Sequence, residues 1–344
     1  VSTIYASYED WIYEIGLTPN RMDAMSHYGV AKDVCAYLSY HESPVAAISP
    51  FKKQASKDKS VTPFKVSIED NAGCKRYSGI VIEGVTVMPS PTWLKNKLQA
   101  IGVRSINNIV DITNYILHET GQPLHAFDAA EIKDKTILVK KYAAGTKFTT
   151  LDGVERTLTA NDLMISDTQK PLCIAGVFGG LSSGVKASTT NLFLESALFE
   201  NVHIRKTSVH HGLRTDAASR FEKGVAIDGT VHVLEHAAQL IQELAGGKCS
   251  EVIDVYPAPA PKTKVNISFA YLKKLSGKVY PTDKVKTILT SLGFEILNQT
   301  AEGLELAVPY HKPDISIAAD IVEEVLRIDG LDNIAIPSVI TMSP

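Results

Sequence analysis

The sequence predicts a multi-domain α+β fold. A mixed, mainly antiparallel-sheet domain is followed by a small winged-helix-like α+β domain. Three observations predict this. Short apolar runs bounded by Gly, Asn and Asp recur through the middle of the chain, as strands joined by tight turns do. Helical patterns are interspersed among them without the strict strand–helix alternation of a parallel sheet. A Pro-Ala run, Tyr256-Pro-Ala-Pro-Ala-Pro, then separates this region from a compact stretch of about 80 residues. A length of 344 residues accommodates two or three domains.

The elements follow in order. Residues 1–42 read as a short strand at the apolar Trp11 to Gly16, a turn at Thr18-Pro19-Asn20, and a helix. That helix carries Met25, Tyr28, Ala31, Cys35 and Leu38 at near-helical spacing. This segment is too small to bury a core alone. The chain opens with Val1, so it is read as a fragment or processed product. Ser43 to Pro63 is a linker with three prolines and Lys52, Lys53, Lys57 and Lys59. It is expected to be a solvated loop, with RNA contact the lesser alternative. Lys65 to Glu69 and Tyr77 to Val87 flank Asn71-Ala72-Gly73, a hairpin signal. Ser90-Pro91 reads as N-cap and first helical residue, with Trp93, Leu94, Leu98 and Ile101 inward and Gly102 ending the helix. Further strands are expected at Thr136 to Tyr142, Lys147 to Leu151, Val154 to Thr159, Leu163 to Asp167 and Leu192 to Glu195. Asp152-Gly153 makes a hairpin of the second and third of these. A long helix from Gly229 to Leu244 aligns Leu234, Ala238, Ile241 and Ala245, and Gly246-Gly247 stops it.

The C-terminal unit, residues 262–344, shows helices from Ser268 and Thr282, strands at Phe294 to Leu297 and Leu304 to Val308, and a helix over Ile317 to Ile328. Two helices followed by a hairpin suggest the winged or helix-turn-helix shape. Its mixed charge makes DNA an unlikely partner.

Composition excludes several function classes. The chain is 44% hydrophobic with a net charge of -3, which argues against a broadly basic nucleic-acid binder. The apolar-looking stretch from Pro171 to Val185 is too short and too rich in Gly and Ser to cross a bilayer. No signal-peptide pattern is seen. Cys35, Cys74, Cys173 and Cys249 are scattered, which favours a reducing cytoplasm over a thiolate zinc site. His232 and His236 have the i,i+4 spacing of zinc ligands, but the H-E-x-x-H pattern fails. Gly246-Gly247-Lys248-Cys249 lacks the rest of a phosphate loop. No G-x-S-x-G elbow is present.

Four constellations carry chemical information. In Asp111 to Asp128, Thr113 and Asn114 interrupt an apolar helical pattern, so the Asn side chain is expected to make a specific hydrogen bond. His125 follows a Gly-Gln-Pro turn that would hold an imidazole in place; a mere turn histidine is the alternative. Cys173 to Gly180 reads as a strand entering a glycine-rich turn, either a ligand cradle or a bulge. Glu195 ends an apolar strand, and it is either a ligand-binding carboxylate or a cap of a helix near Ser196. Asp314 and the Asp320, Glu323 and Glu324 wedge of a helix would suit magnesium. The alternative is an acidic first helical turn with Glu323 paired to Arg327, and the residues alone favour it.

Together these segments resemble the bacterial phenylalanine–tRNA ligase beta subunit. Thr18 to Asp33 resembles that family's TPNR-D-S-GVAR element. Asn114 to Asp128, Ile174 to Gly180, Leu194-Glu195 and Arg214 to Val225 resemble its B3/B4 editing domain. Pro313-Asp-Ile through Gly330 resembles its B5 domain. The resemblance implies a B1-like segment at 1–42, an editing domain at 43–255 and a B5 domain at 262–344. It implies a subunit of a cytoplasmic enzyme that attaches phenylalanine to tRNA(Phe) with ATP, together with an alpha subunit, in a heterotetramer of two alpha and two beta chains. This part would carry the proofreading site that hydrolyses Tyr-tRNA(Phe).

By the same resemblance, Glu195 would take the phenol hydrogen bond. Thr113, Asn114 and His125 would line the ester and position water, with His125 either general base or water orienter. Ala175, Gly176, Thr215 and Ala217 would border the amino acid. Asp314, Asp320, Glu323 and Glu324 match the family's Mg2+ positions, an ion shared with the alpha subunit, which reverses the preference drawn from the residues alone. ATP would be used by the parent enzyme and not bound here. Ala218, Ser219, Lys223 and Lys312 depart from the family pattern. The family's OB-type tRNA-binding, catalytic-like and anticodon-binding modules are not seen, so this chain alone is not expected to aminoacylate. A non-catalytic scaffold for the alpha subunit and tRNA is the alternative function.

Overall fold

The computed structural model describes residues 8–51 and 60–335. Val1 and the loop lysines Lys52, Lys53, Lys57 and Lys59 lie outside the described residues. By compactness the chain divides into two units, Val1–His27 with Pro50–Pro259, and Tyr28–Ser49 with Ala260–Pro344.

Helix α1 (His27–His41) comes first and, from Tyr28 on, belongs to the second unit. The first unit continues with β1 (Lys65–Ile68), β2 (Cys74–Glu83), α2 (Thr92–Ala100), α3 (Asn108–Thr120) and β3 (Leu124–Asp128). Then come β4 (Thr136–Lys141), β5 (Lys147–Thr149), β6 (Glu155–Thr157), β7 (Leu163–Ser166), β8 (Pro171–Ile174) and β9 (Phe178–Gly179). It closes with β10 (Asn191–Phe199), α4 (Asn201–His211), α5 (Asp216–Lys223), α6 (Thr230–Ala245), β11 (Lys248–Cys249) and β12 (Ile253–Val255).

Three layers result. One sheet has the order β1-β4-β7-β8-β9, and a second has β11-β2-β10-β3 with β12 also on β2. The centre of the second sheet is buried on both faces, so its strands read as apolar runs. Side chains alternate along a strand. On β10, Phe193, Ala197 and Phe199 therefore join Val139, Ile165 and Ile174 of the first sheet in one core. Leu192 and Leu194 point the other way, against Leu94 and Leu98 of α2, Ile112 and Ile116 of α3, and Leu234 and Ile241 of α6. The α+β class and its antiparallel sheets are as expected, apart from the parallel β1–β4 pair.

Several local expectations are corrected. Trp11 to Gly16 forms no strand; Trp11, Ile12 and Tyr13 stay exposed, and among the described residues no strand pairs with them. The expected face of the first helix is rotated: Met25 precedes α1, and Ala36 is its fully buried residue. Asn71-Ala72-Gly73 is a turn but not a hairpin. Asp70 Oδ1 accepts from the Ala72 and Gly73 amides, turning the chain from one sheet into the other, so β1 and β2 do not pair. Pro91, not Ser90, is the N-cap of α2, because the Ser90 hydroxyl is donated to Asp111. Leu94 and Leu98 are buried, but Trp93 and Ile101 are exposed.

The second unit runs β13 (Lys264–Ser268), α7 (Phe269–Ser276), α8 (Thr282–Ser291), β14 (Glu295–Gln299), β15 (Gly303–Ala307) and α9 (Ala318–Asp329). The helix pair and hairpin lie where expected; β13, unforeseen, completes a three-stranded sheet β13-β15-β14. Ala36 of α1 packs into this core with Leu272, Ile288, Leu289 and Val325. Tyr40, Lys278 and Tyr280 all donate to the carboxylate of Asp329, which is 2% exposed and so must be paired.

Candidate active site

Glu195 does not end its strand. Ser196 to Phe199 continue β10, and the following helix starts at Asn201 with Glu200 as its N-cap. The reading of Glu195 as a helix cap is therefore overturned. Glu195 sits mid-strand, directly opposite His125 on β3. Residues opposite each other in an antiparallel pair share a face. The two side chains thus project together toward the first sheet, between the layers.

Glu195 is 4% exposed. Its Oε2 accepts from the Tyr77 hydroxyl at 2.9 Å. Among the described residues nothing hydrogen-bonds Oε1. Burial pushes the carboxyl up to about 8, and the Tyr77 hydrogen bond only partly offsets it. His125 Nε2 is buried without a hydrogen-bond partner among the described residues. Burial lowers its pKa to about 4. Its ring meets Phe127 edge-on at 4.4 Å. At pH 7 the site therefore holds a neutral imidazole and a largely protonated carboxylic acid. Cys74 and Cys173 are buried beside them, and burial first, then Glu195, raises both thiols; neither is a thiolate nucleophile.

The glycine-rich turn closes the site from the first sheet. A Cβ on Gly179 would lie 3.0 Å from His125 Cε1, so glycine permits that approach. Gly176 has φ +66°, and a Cβ there would stand 2.9 Å from Phe199 and Phe221. Ala175 is buried, and its amide donates to Leu163. Thr215, the N-cap of α5, accepts from Ala218 N and donates to Val177 O, both at 3.0 Å. It thereby ties α5, with half-buried Ala217 in its first turn, to the turn at 175–177.

Thr113 and Asn114 lie on α3, whose apolar side covers the other face of the second sheet. Thr113 donates to Val110 O at 2.8 Å. Asn114 is half-buried and, contrary to expectation, its side chain makes no hydrogen bond among the described residues. Nor does any hydrogen bond among them join Thr113 or Asn114 to His125 or Glu195. One turn beyond Asn114, His118 contacts Arg220 of α5 at 3.4 Å. Sequence reasoning missed Tyr77 and the α3–α5 contact. A tyrosine in an otherwise apolar strand was the available signal, since a buried hydroxyl needs a partner.

The acidic residues of the second unit divide. Glu324, 3% exposed, is held by Lys312 at 2.9 Å and by Arg327, which also reaches Asp33. Arg327 therefore pairs with Glu324 and Asp33, not with Glu323, which is exposed. Asp320 accepts from the amides of Ser316 and Ile317 at the start of α9. Asp314 is half-buried. Among the described residues no three His, Cys, Asp or Glu side chains converge as a metal site. With Glu324 neutralised by two cations and Asp320 capping a helix, the four carboxylates do not fit a magnesium site built by this chain alone.

Comparison with known proteins defines the class. Residues 73–246 match the B3/4 domain and residues 265–331 the tRNA synthetase B5 domain. The chain belongs to the B3/4 domain family. Across nearly its whole length it is similar to phenylalanine–tRNA ligase beta subunits. It is 48% identical to that of Bacteroides fragilis over 97% of this chain and 41% of the relative, and 45% identical to that of Porphyromonas gingivalis over the same shares. The beta subunit of Geobacter metallireducens is 42% identical over 95% of this chain and 41% of its own length. The chain thus spans about two fifths of the curated relatives it matches. An N-terminal fragment of the Pyrococcus horikoshii phenylalanyl-tRNA synthetase beta-subunit has a TM-score of 0.45 and 18% identity over 90% of this chain and 84% of that one, a likeness too slight to build on. Among the described residues no helix is long and apolar enough to cross a membrane.

Proposed function

We propose that this chain carries the proofreading site of a cytoplasmic phenylalanine–tRNA ligase beta subunit and hydrolyses Tyr-tRNA(Phe). The observation that carries this reading is the cross-strand pair Glu195 and His125: buried, neutral at pH 7, and each with an unused polar atom. Such a pair suits recognition of a neutral phenol and of water. The phenol of a misattached tyrosine pairs with Glu195 Oε1. Phenylalanine would leave that oxygen unpaired, and a site built around a hydroxyl rejects the analogue lacking it by about 10⁴ or more.

In the reaction, a water oxygen bonds to the ester carbonyl carbon, the bond to the terminal ribose oxygen breaks, and a proton ends on that oxygen. His125, with its pKa held at about 4, is a weak base at pH 7. Its bare Nε2 is better suited to accept a hydrogen bond from the attacking water and aim it. By family resemblance Thr113 and Asn114 would line the ester, with the uncommitted amide of Asn114 available to it. Since α3 packs on the opposite face of the second sheet from Glu195 and His125, and Thr113 donates to Val110 O, they would have to reach it from the rim of that sheet. Ala175, Gly176, Thr215 and Ala217 bound the amino acid. Aminoacylation itself belongs to the complete enzyme with its alpha subunit, tRNA(Phe) and ATP. Any Mg2+ at Asp314, Asp320, Glu323 and Glu324 would need ligands from the alpha subunit and a rearranged Glu324.

The test is release of tyrosine from Tyr-tRNA(Phe) by this chain and by the assembled enzyme, with Phe-tRNA(Phe) as control. Glu195→Ala is expected to lower Tyr-tRNA hydrolysis by about a hundredfold, the worth of one strong buried hydrogen bond. Tyr-tRNA left intact by both preparations would leave the scaffold reading in its place.

A further inference from the structure

Glu195 can hydrogen-bond through two oxygens, but recognition of a phenol needs one of them in a fixed place. The side chain reaches inward from the middle of β10, where the register sets Gly79 of β2 on one side and His125 of β3 on the other. Neither neighbour holds the carboxyl group. Gly79 has no side chain, and a Cβ there would fall 2.4 Å from the Phe193 ring. Among the described residues His125 makes no hydrogen bond through Nε2. The group that holds it is Tyr77, two residues before Gly79 on the same face of β2. Its side chain is fully buried, and its hydroxyl lies 2.9 Å from Oε2.

We propose that Tyr77 is a positioning residue for specificity: by engaging Oε2 it fixes the rotamer of Glu195 and leaves Oε1 as the one atom a substrate phenol can reach. This rests on the editing reading of the same site. The chemistry is consistent in detail. When the acid is neutral, Oε2 accepts from Tyr77, so the acid proton resides on Oε1. Oε1 then presents an O–H toward the phenol oxygen. Without the Tyr77 hydroxyl, either oxygen could carry the proton and the group could turn, losing the preorganisation on which discrimination depends.

The experiment is Tyr77→Phe, which removes one oxygen atom and keeps the ring that fills the core. It is made in this chain and in the assembled enzyme. Two readouts are taken. The first is the titration of the Glu195 carboxyl by difference infrared spectroscopy, with Glu195→Gln marking the band. The second is kcat/KM for Tyr-tRNA(Phe) and Phe-tRNA(Phe) across pH. The expected result is an upward displacement of the Glu195 titration. With it, the ratio of Tyr-tRNA to Phe-tRNA hydrolysis should fall roughly tenfold, the effect of one lost or misplaced hydrogen bond. An unmoved titration, or equal losses on both esters, overturns the role of Tyr77 while leaving the editing reading intact. A wild-type protein that spares Tyr-tRNA overturns the editing reading and, with it, the specificity role.

Discussion

Two glutamates in this chain are equally hidden and are held in opposite ways. Glu195 is 4% exposed and Glu324 3%. For both, burial is the largest influence and pushes the pKa upward. At Glu324 the hydrogen bond from Arg327 and the charge of Lys312 outweigh it, and the carboxyl stays below its ordinary range. At Glu195 one tyrosine hydroxyl is set against burial, and the carboxyl rises to about 8. A carboxylate that joins elements of a fold is neutralised by the fold itself. A carboxyl that keeps an unused oxygen beside an imidazole whose Nε2 has no hydrogen-bond partner among the described residues has its binding capacity in reserve, which is the mark of a ligand site. The difference also explains why the magnesium expectation and the phenol expectation, both drawn from acidic residues, lead to such different surroundings.

The largest effect that could break the comparison concerns Glu324. Lys312→Ala removes one of its two cations and leaves a buried charge half-neutralised. It should cost about 3–5 kcal/mol in chemical denaturation. Lys312→Met combined with Glu324→Leu should recover most of that loss, since a packed apolar pair replaces a buried ion pair at little cost. A loss below about 1 kcal/mol from the single variant would mean that Arg327 alone carries the charge, or that Glu324 is better solvated than its burial implies.

The two sites should also respond oppositely to pH. Glu195 has a folded pKa raised to about 8 from an ordinary 4.5. Its contribution to stability is therefore complete below about 4.5 and is lost as pH rises through 8. Glu324 has a lowered pKa, so its contribution is present above 4.5 and is lost as pH falls below that. His125, lowered to about 4 from 6.5, contributes fully above 6.5 and loses its contribution as pH falls through 4. Above pH 6.5 the Glu195 slope thus stands free of the His125 one. Glu195→Gln should flatten that decline and make the variant more stable than wild type at pH 9, by up to about 4 kcal/mol. Glu324→Gln should leave the alkaline slope as it is. Parallel wild-type and Glu195→Gln curves above pH 6.5 would show that Glu195 is ionised at neutrality.

Much of the fold was legible because its signals are local. The buried face of α6 and the starts of α7 and α8 follow from short-range spacing and turn chemistry. Strand pairing was not legible. Asp70 turns the chain through the same Asn-Ala-Gly sequence that elsewhere marks a hairpin, and β2 finds its partner more than 100 residues later. The position of Glu195 was misjudged because a charged residue in an apolar run looks like a strand end. What continues the strand is the opposing register of β2 and β3, which no local pattern records. Glu195 and His125 were both singled out, but their facing each other is a property of that register. Tyr77 could be found only after the strands were paired, because its partner is 118 residues away.

The smallest expected effect asks whether the turn at 175–177 belongs with the buried site or merely lies near it. Thr215 makes two bonds through one hydroxyl: it accepts from Ala218 N as the cap of α5 and donates to Val177 O. Thr215→Ala removes both and should cost about 1 kcal/mol, as loss of a helix cap does. Thr215→Ser keeps the hydroxyl and should retain the stability. If the turn forms one wall of the amino-acid site, the Ala variant should also raise KM for Tyr-tRNA(Phe) more than it lowers kcat, because it loosens a wall without touching Glu195 or His125. If instead the Ala variant loses the stability while leaving KM unchanged, the tie to Val177 serves the fold alone. Glu195 and His125 would then define the site without the turn that faces them.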